Sequence, residues 1–432
     1  MKKIRGLPIP HSKNTAGYAP DTLPTPLEVR LPMKMHSGSP AKPVVNIGDG
    51  VKVGQLIGEA EGRVSSPVHA SVSGTVKAVT DFDGLTGQKI TSITIASDGA
   101  QSLFEGLAPP VVTNTAQFLE AVQNSGVVGL GGAGYPTAPK LTLKEGTVLD
   151  YILINGAECE PYITSDTRTM VDGAESVFEG ALLLKEYIKP KNIVICIEGN
   201  KPEAIKKMQE LTAGVAGMEV RVLPSKYPQG ERKVLVYNVT NRIVPEGGRL
   251  TDVGCIVVNC TTVAVFARYI KTGMPLVSRC VTVDGSAVMT PKNVIAPIGT
   301  PIRDLFDFCG GLKDDVKKIL IGGPMMGAAV PNLDVPVVKV TGAVLALSAK
   351  DAKPPVPSAC IKCGRCISKC PMRLMPSHIE NAFELKNLET LKKLKVNMCA
   401  ECGCCAYLCP SKRPLAQVMT LSKNMLWEAR QK

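Results

Sequence analysis

A chain of 432 residues exceeds the ~250–300 that one hydrophobic core usually organises, so several domains are expected. Hydrophobic residues at 44% and charged residues at 20% suit a globular protein, and no apolar run approaches the ~20 residues a membrane span needs. The formal charge of +12 suits an acidic partner or an anionic surface, but 4% aromatics with no basic–aromatic stripe argue against nucleic acid.

The start, Met1-Lys-Lys-Ile-Arg-Gly, has no apolar signal-peptide core, and eight of the fifteen cysteines fall in two repeated motifs. Both point to a reducing compartment and away from a disulfide scaffold. Cys159, Cys196, Cys255, Cys260, Cys280 and Cys309 mostly sit in strand-like apolar runs and read as small buried hydrophobes. His11, His36, His69 and His378 are scattered and read as structural.

In chain order, residues 1–30 are proline-rich and read as an extended segment packed along another domain. Residues 31–110 alternate short β-rich runs with glycine turns, predicting a small barrel or sandwich. In residues 111–270, helix, strand and helix follow as ordinary α/β units: a helix over 114–124 capped from Thr113-Asn114-Thr115, an amphipathic helix over 172–187, a buried strand Asn192–Glu198, a helix Lys201–Thr212 and a helix from Arg232. Residues 271–350 form a further unit, whose turn Gly322-Gly-Pro-Met-Met-Gly327 has no nearby lysine or acid and reads as structural. Pro354–Pro357 leads into a cysteine-rich domain, 351–432, which closes with a helix over Pro414–Arg430 carrying Leu415, Val418, Met419, Leu421 and Met425 on its apolar side.

Two stretches of the α/β region carry chemistry. In Gly126-Val-Val-Gly-Leu-Gly-Gly-Ala-Gly-Tyr-Pro-Thr-Ala-Pro-Lys140, the glycines at 129, 131, 132 and 134 let backbone amides approach an anion, and Lys140 supplies a point charge. Next, Tyr151-Ile-Leu-Ile-Asn-Gly-Ala-Glu-Cys-Glu-Pro161 begins as a buried strand and ends in a polar turn, the usual ligand position in an open α/β sheet. A glycine run alone is often only a turn. The cysteine motifs are more specific: Cys360-x-x-Cys363-x-x-Cys366-x-x-x-Cys370-Pro and Cys399-x-x-Cys402-x-x-Cys405-x-x-x-Cys409-Pro repeat the two-cluster ferredoxin spacing. Zinc knuckles and disulfides compete for this reading, but zinc sites pair two CxxC halves and do not need four cysteines in this register. In the two-cluster pattern the fourth cysteine ligates the other cluster, which predicts Cys360, Cys363, Cys366 and Cys409 on one, and Cys399, Cys402, Cys405 and Cys370 on the other. Cys404 is out of register and reads as a spare thiol.

Several of these segments resemble known families. The barrel runs resemble the biotinyl/lipoyl barrel-sandwich hybrids, but the hairpin stretch Glu59–Ser66 has no carrier lysine, and Lys34 precedes the fold. The glycine loop and polar turn resemble the flavin-binding subunit of respiratory complex I. That resemblance implies FMN and NAD(H) at Gly129, Gly131, Gly132, Ala133, Gly134, Lys140, Asn155 and Glu158, with Glu158 and Glu160 at the hydride face. Tyr227-Pro-Gln-Gly230-Glu231 and Asn259 match its later elements. The chain departs from that family at Leu130, usually arginine there, and at Arg232, usually acidic, which leaves NADH or NADPH open. Residues 276–345 resemble the soluble-ligand-binding β-grasp domain. Taken together, the order resembles the RnfC family, and so does the opening Ile4-Arg-Gly-Leu-Pro-Ile-Pro-His-Ser-Lys-Asn-Thr-Ala.

The implied fold is multidomain α/β and α+β: a barrel-sandwich hybrid, a Rossmann-like FMN-binding α/β domain, an SLBB β-grasp domain and a ferredoxin-like helical domain with two 4Fe–4S clusters. The implied function is exchange of hydride between NAD(H) and FMN, with single electrons passed through the clusters to membrane subunits that couple to Na+ or H+ movement. The chain would then be peripheral, on the cytoplasmic face of the membrane. The alternatives are a soluble paralogue feeding a methylenetetrahydrofolate or amino-acid reductase, and a flavin-free iron–sulfur scaffold.

Overall fold

The computed structural model describes residues 6–84 and 87–431; Ile4 and Arg5 of the opening motif lie outside the described residues. In the first unit a four-stranded sheet, ordered Glu28–Pro32, Lys89–Ser97, Gly74–Asp83 and Gly50–Val51, lies with a three-stranded sheet of Lys42–Pro43, Leu56–Glu59 and Val68–His69. Alternation along these strands turns Val29, Leu31, Val76, Ile93 and Ile95 inward, and this core runs without a break into Phe118 and Val122 of the next unit.

There, four parallel strands take the order Met218–Leu223, Asn192–Glu198, Tyr151–Gly156, Cys255–Asn259. Strand Asn192–Glu198 lies inside the sheet, which explains its uninterrupted apolar run. The first strand in sequence, Tyr151–Gly156, is flanked by the second and the fourth, so the order reverses between Tyr151–Gly156 and Cys255–Asn259. Ligands of open α/β sheets bind at such a reversal, outside the carboxyl ends of the strands. Here those ends carry Asn155 and Asn259, which face each other in register.

Most helices fall where the periodicity put them. Asn114 caps Thr115–Asn124 by accepting the Gln117 amide, and helices span Pro202–Thr212 and Arg232–Thr240. The helix expected over 172–187 starts at Ala174, and Gly173 separates it from a preceding helix, Ser165–Asp172. The third unit is a six-stranded mixed sheet whose edge strand, Asp21–Thr22, comes from the N-terminal segment and pairs in parallel with Lys292–Pro297. The expected extended segment therefore does pack along another unit. In the last unit, Leu415–Gln431 buries Leu415, Val418, Met419, Ser422 and Leu426. Leu421 was expected on that face and is exposed: the 3.6-residue period runs through 415, 419, 422 and 426, leaving 421 on the far side.

One buried cation joins three of these units. The Lys339 ammonium, on the β-grasp side, donates to Ser66 Oγ (3.0 Å) and Pro67 O (2.6 Å) of the barrel and to Gly126 O (2.7 Å) of the α/β unit. Among the described residues no carboxylate meets it, and burial pulls its pKa down to about 7.

Candidate flavin and iron–sulfur site

The glycine loop sits over the sheet reversal. Thr262, in the first turn of helix Cys260–Thr272, donates to Val128 O (2.9 Å) and accepts from the Leu130 amide (3.0 Å), which pins the loop's base. Gly131, Gly132 and Ala133 are exposed, and Gly132 and Gly134 take φ of +104° and +61°, where a side chain is strained. A Cβ on Gly131 would stand 3.2 Å from Asn259 Nδ2, and one on Gly129 would stand 3.4 Å from Lys140 Nζ. Among the described residues Lys140 makes no hydrogen bond or ion pair. Burial first, then the nearby Arg232 cation, lower its pKa to about 8. An unpaired ammonium beside a second cation and a glycine loop has the chemistry of a phosphate cradle, and FMN fits it.

Asn155 donates to Gly230 O (3.0 Å), tying the polar turn to the Tyr227–Glu231 element, and the Gly230 amide donates to Cys159 Sγ (3.4 Å). Asn259 is held from both sides: its oxygen accepts from the Thr262 amide (3.1 Å), and its amide donates to Asp166 Oδ2 (2.7 Å). Glu231 accepts from the Val234 amide (2.8 Å), capping the helix that follows.

The two predicted acids have different parts. Glu158, at φ +45°, accepts from the Asp166 amide (2.6 Å), the Thr167 amide (3.2 Å) and Thr167 Oγ1 (2.5 Å), so it caps helix Ser165–Asp172. A carboxylate engaged this way holds a helix end. Glu160 accepts from the Met325 amide (3.1 Å) and, at 3.5 Å, from the Tyr227 hydroxyl, and burial raises its pKa to about 7. Met325 belongs to the turn 322–327, read from sequence as structural; it folds over Glu160. A methyl on Gly323 would run into the Glu160 carboxylate and stand 2.7 Å from its Cβ, so Gly323→Ala is expected to displace Glu160, seen as a lower Tm and a raised KM for NADH.

The cysteines separate by environment. Cys370 and Cys402 are buried and Cys399 and Cys405 half-buried, and all four line one cavity closed by Leu374 and Met419. Amides point at two of the sulfurs, from Leu374 to Cys370 (3.3 Å) and from Glu401 to Cys399 (3.3 Å). Cys360 and Cys363 are exposed, and Cys366 and Cys409 are half-buried like Cys399 and Cys405. The loops bearing Cys360 and Cys409 are stitched together, Ser358 N to Ser411 O and Ser411 Oγ to Ala359 O, both 2.9 Å. Among the described residues, no three His, Cys, Asp or Glu side chains converge on a single metal ion. A cubane asks for something different, four thiolates spread around four irons, and the donor set of Cys370, Cys399, Cys402 and Cys405, with Cys404 lining the same cavity, has the chemistry for it.

The two halves of the site meet. Cys402 and Cys404 pack with Leu7, Ile9 and Tyr227 in one buried cluster, flanked by Cys159 and Met325. Cys404, expected to be a spare thiol, is 1% exposed and hydrogen-bonded to Cys402.

Comparison with known proteins agrees with this geometry. The Nuo51 FMN-binding domain model matches residues 122–268, the RnfC barrel sandwich hybrid domain 2–100, the SLBB domain 280–329 and the 4Fe-4S dicluster domain 355–410. A component of the proton-translocating ferredoxin:NAD(+) oxidoreductase complex of Clostridium ljungdahlii is 38% identical over 384 residues, covering 87% of this chain and 83% of that protein. Its counterpart in the Na(+)-translocating complex of Acetobacterium woodii is 39% identical, covering 82% of this chain and 81% of that protein. The chain belongs to the RnfC family. The corresponding component of the ion-translocating oxidoreductase complex of Rhodobacter capsulatus is 36% identical, over 98% of this chain and 82% of its own length. The NAD+-reducing [NiFe]-hydrogenase in its H2-reduced state shares the fold, with a TM-score of 0.50 at 17% identity over 73% of this chain and 61% of that one.

Within the RnfC frame, the FMN-binding match contains the glycine loop, Asn155, Glu160, Tyr227 and Asn259, and the dicluster match contains all eight motif cysteines. Sequence reasoning missed Lys13, Asp166, Thr262 and Met325 at this site. The first and last act across 145 and 165 residues, and only the folded chain brings them there.

Proposed function

We propose that this chain is the NADH-handling electron-transfer subunit of an ion-translocating ferredoxin:NAD+ oxidoreductase, holding FMN and two 4Fe–4S clusters. A bound flavin would exchange hydride with nicotinamide and release electrons singly, and the clusters would relay them one at a time. In this reading the amides of 129–134 and the Lys140 and Arg232 cations take the flavin phosphate. Asn155 and Asn259 border the ring at the sheet reversal, and Glu160 stands at its nucleotide side. Cys399, Cys402, Cys405 and Cys370 form the inner ligand set. Cys360, Cys363, Cys366 and Cys409 form the outer set, whose exposed members Cys360 and Cys363 would face the next electron carrier. The observation that carries the reading is the shared buried contact of Tyr227 and Cys159, on the flavin side, with Cys402.

The domain division we propose is 1–30, 31–110, 111–270, 271–350 and 351–432, supported by four family matches that center on the last four. The partners would be the membrane and peripheral subunits of the complex, with this chain peripheral on the cytoplasmic face. Among the described residues no helix is long and apolar enough to cross a membrane. Anaerobically purified protein should release FMN, carry about eight irons, bleach with NADH and sediment with membranes that contain the partner subunits. Iron without releasable flavin would reduce it to an electron-transfer scaffold, and co-purification with a soluble reductase would move it to the soluble paralogues.

A further inference from the structure

The N-terminal segment reaches the flavin side at two points. Leu7 and Tyr227 exchange both backbone hydrogen bonds, at 2.7 and 2.9 Å. Six residues on, the Lys13 side chain turns inward and donates to Glu158 O (2.8 Å), Glu160 O (2.8 Å) and Ile163 O (2.5 Å). The Tyr162 amide in turn donates to His11 O (2.9 Å). The turn it grips is unusual, with Glu158 and Tyr162 at φ +45° and +70°. Three carbonyls aimed at one point repel each other unless a donor stands between them, and the Lys13 –NH3+ has the three protons required. Glu158, Glu198, Lys201 and Cys159 surround the ammonium, and the Glu158 carboxylate is already engaged by the Asp166 amide and Thr167.

We infer that Lys13 is a positioning residue for the flavin site: from the far end of the chain it sets the 158–163 turn, and through it Glu160, against the Tyr227–Glu231 element. This inference rests on the FMN reading above. Without Lys13 the three carbonyls lose their donor, the turn relaxes, and Glu160 moves off its contacts with Tyr227 and Met325.

The test uses full-length protein purified anaerobically. Lys13→Met keeps the length and removes the donors; it should weaken FMN binding about tenfold or more, raise KM for NADH more than it lowers kcat, and lower the flavin midpoint potential, with iron content unchanged. Lys13→Arg should restore most of each. Asn14→Ala is the control, because Asn14 faces Asp284 of the β-grasp unit and not the turn. Its flavin affinity and potential should match the parent's. Hydrogen exchange on the unaltered protein gives an answer even if Lys13→Met fails to fold: FMN should slow the amides of 158–163 and of 7–13 together. FMN that protects the turn but leaves 7–13 unchanged, or a folded Lys13→Met with parental flavin affinity and potential, overturns the inference. If the unaltered protein binds no FMN, the flavin reading itself fails.

Discussion

Cys370→Ala is expected to destroy the inner cluster, although Cys370 belongs to the first motif in sequence. It lines one cavity with Cys399, Cys402 and Cys405, and loop 358–360 is bonded to 411–413, next to Cys409. Iron should fall from about eight to about four per chain, the stoichiometry of one lost cubane. The EPR spectrum of the reduced variant should match that of Cys402→Ala, while Cys409→Ala should match Cys363→Ala. Nested ligation would group Cys370 with Cys363 instead. NADH should still bleach the flavin of Cys370→Ala but no longer reduce the outer cluster, which dithionite should still reach. In Cys409→Ala the inner cluster should still be reduced by NADH.

The second large effect concerns Lys140. A hydrogen bond to a charged group is worth enough that Lys140→Met should weaken FMN binding by about 10–100-fold. The pH dependence has a definite sign. Burial lowers Lys140 from 10.5 to about 8, so folding disfavors its charged form. In the flavin-free protein this penalty is fully present below pH 8 and fades as pH rises toward 10.5. The phosphate needs the charged form. Flavin affinity of the parent protein should therefore fall as pH climbs through about 8, and the inflection should be absent in Lys140→Met. Fluorescence titration across that interval reads both.

Much of this was legible in the residues, for identifiable reasons. The strand Asn192–Glu198 announced itself because a strand paired on both edges has no polar face to show. Asn114 was legible as a cap because a cap is a local feature. The cysteine spacing carried the two-cluster domain because cluster geometry restricts the loop between ligands. What was less legible depended on distance in the chain. Glu158 looked like a site acid because it stands in a polar turn, and nothing nearby says that a helix seven residues later claims its carboxylate. The turn 322–327 looked idle because the acid it covers lies far upstream. Lys13 was visible as part of a motif without a task, since its acceptors are three carbonyls, which leave no mark on side-chain identity.

Lys339 carries a consequence for how such a molecule transmits work. A single ammonium shared by barrel, α/β unit and β-grasp unit leaves no cheap hinge among them, because opening any pair strands a buried charge. The barrel, the α/β unit and the β-grasp unit are then expected to move as one body, with the cysteine-rich unit outside this shared bond.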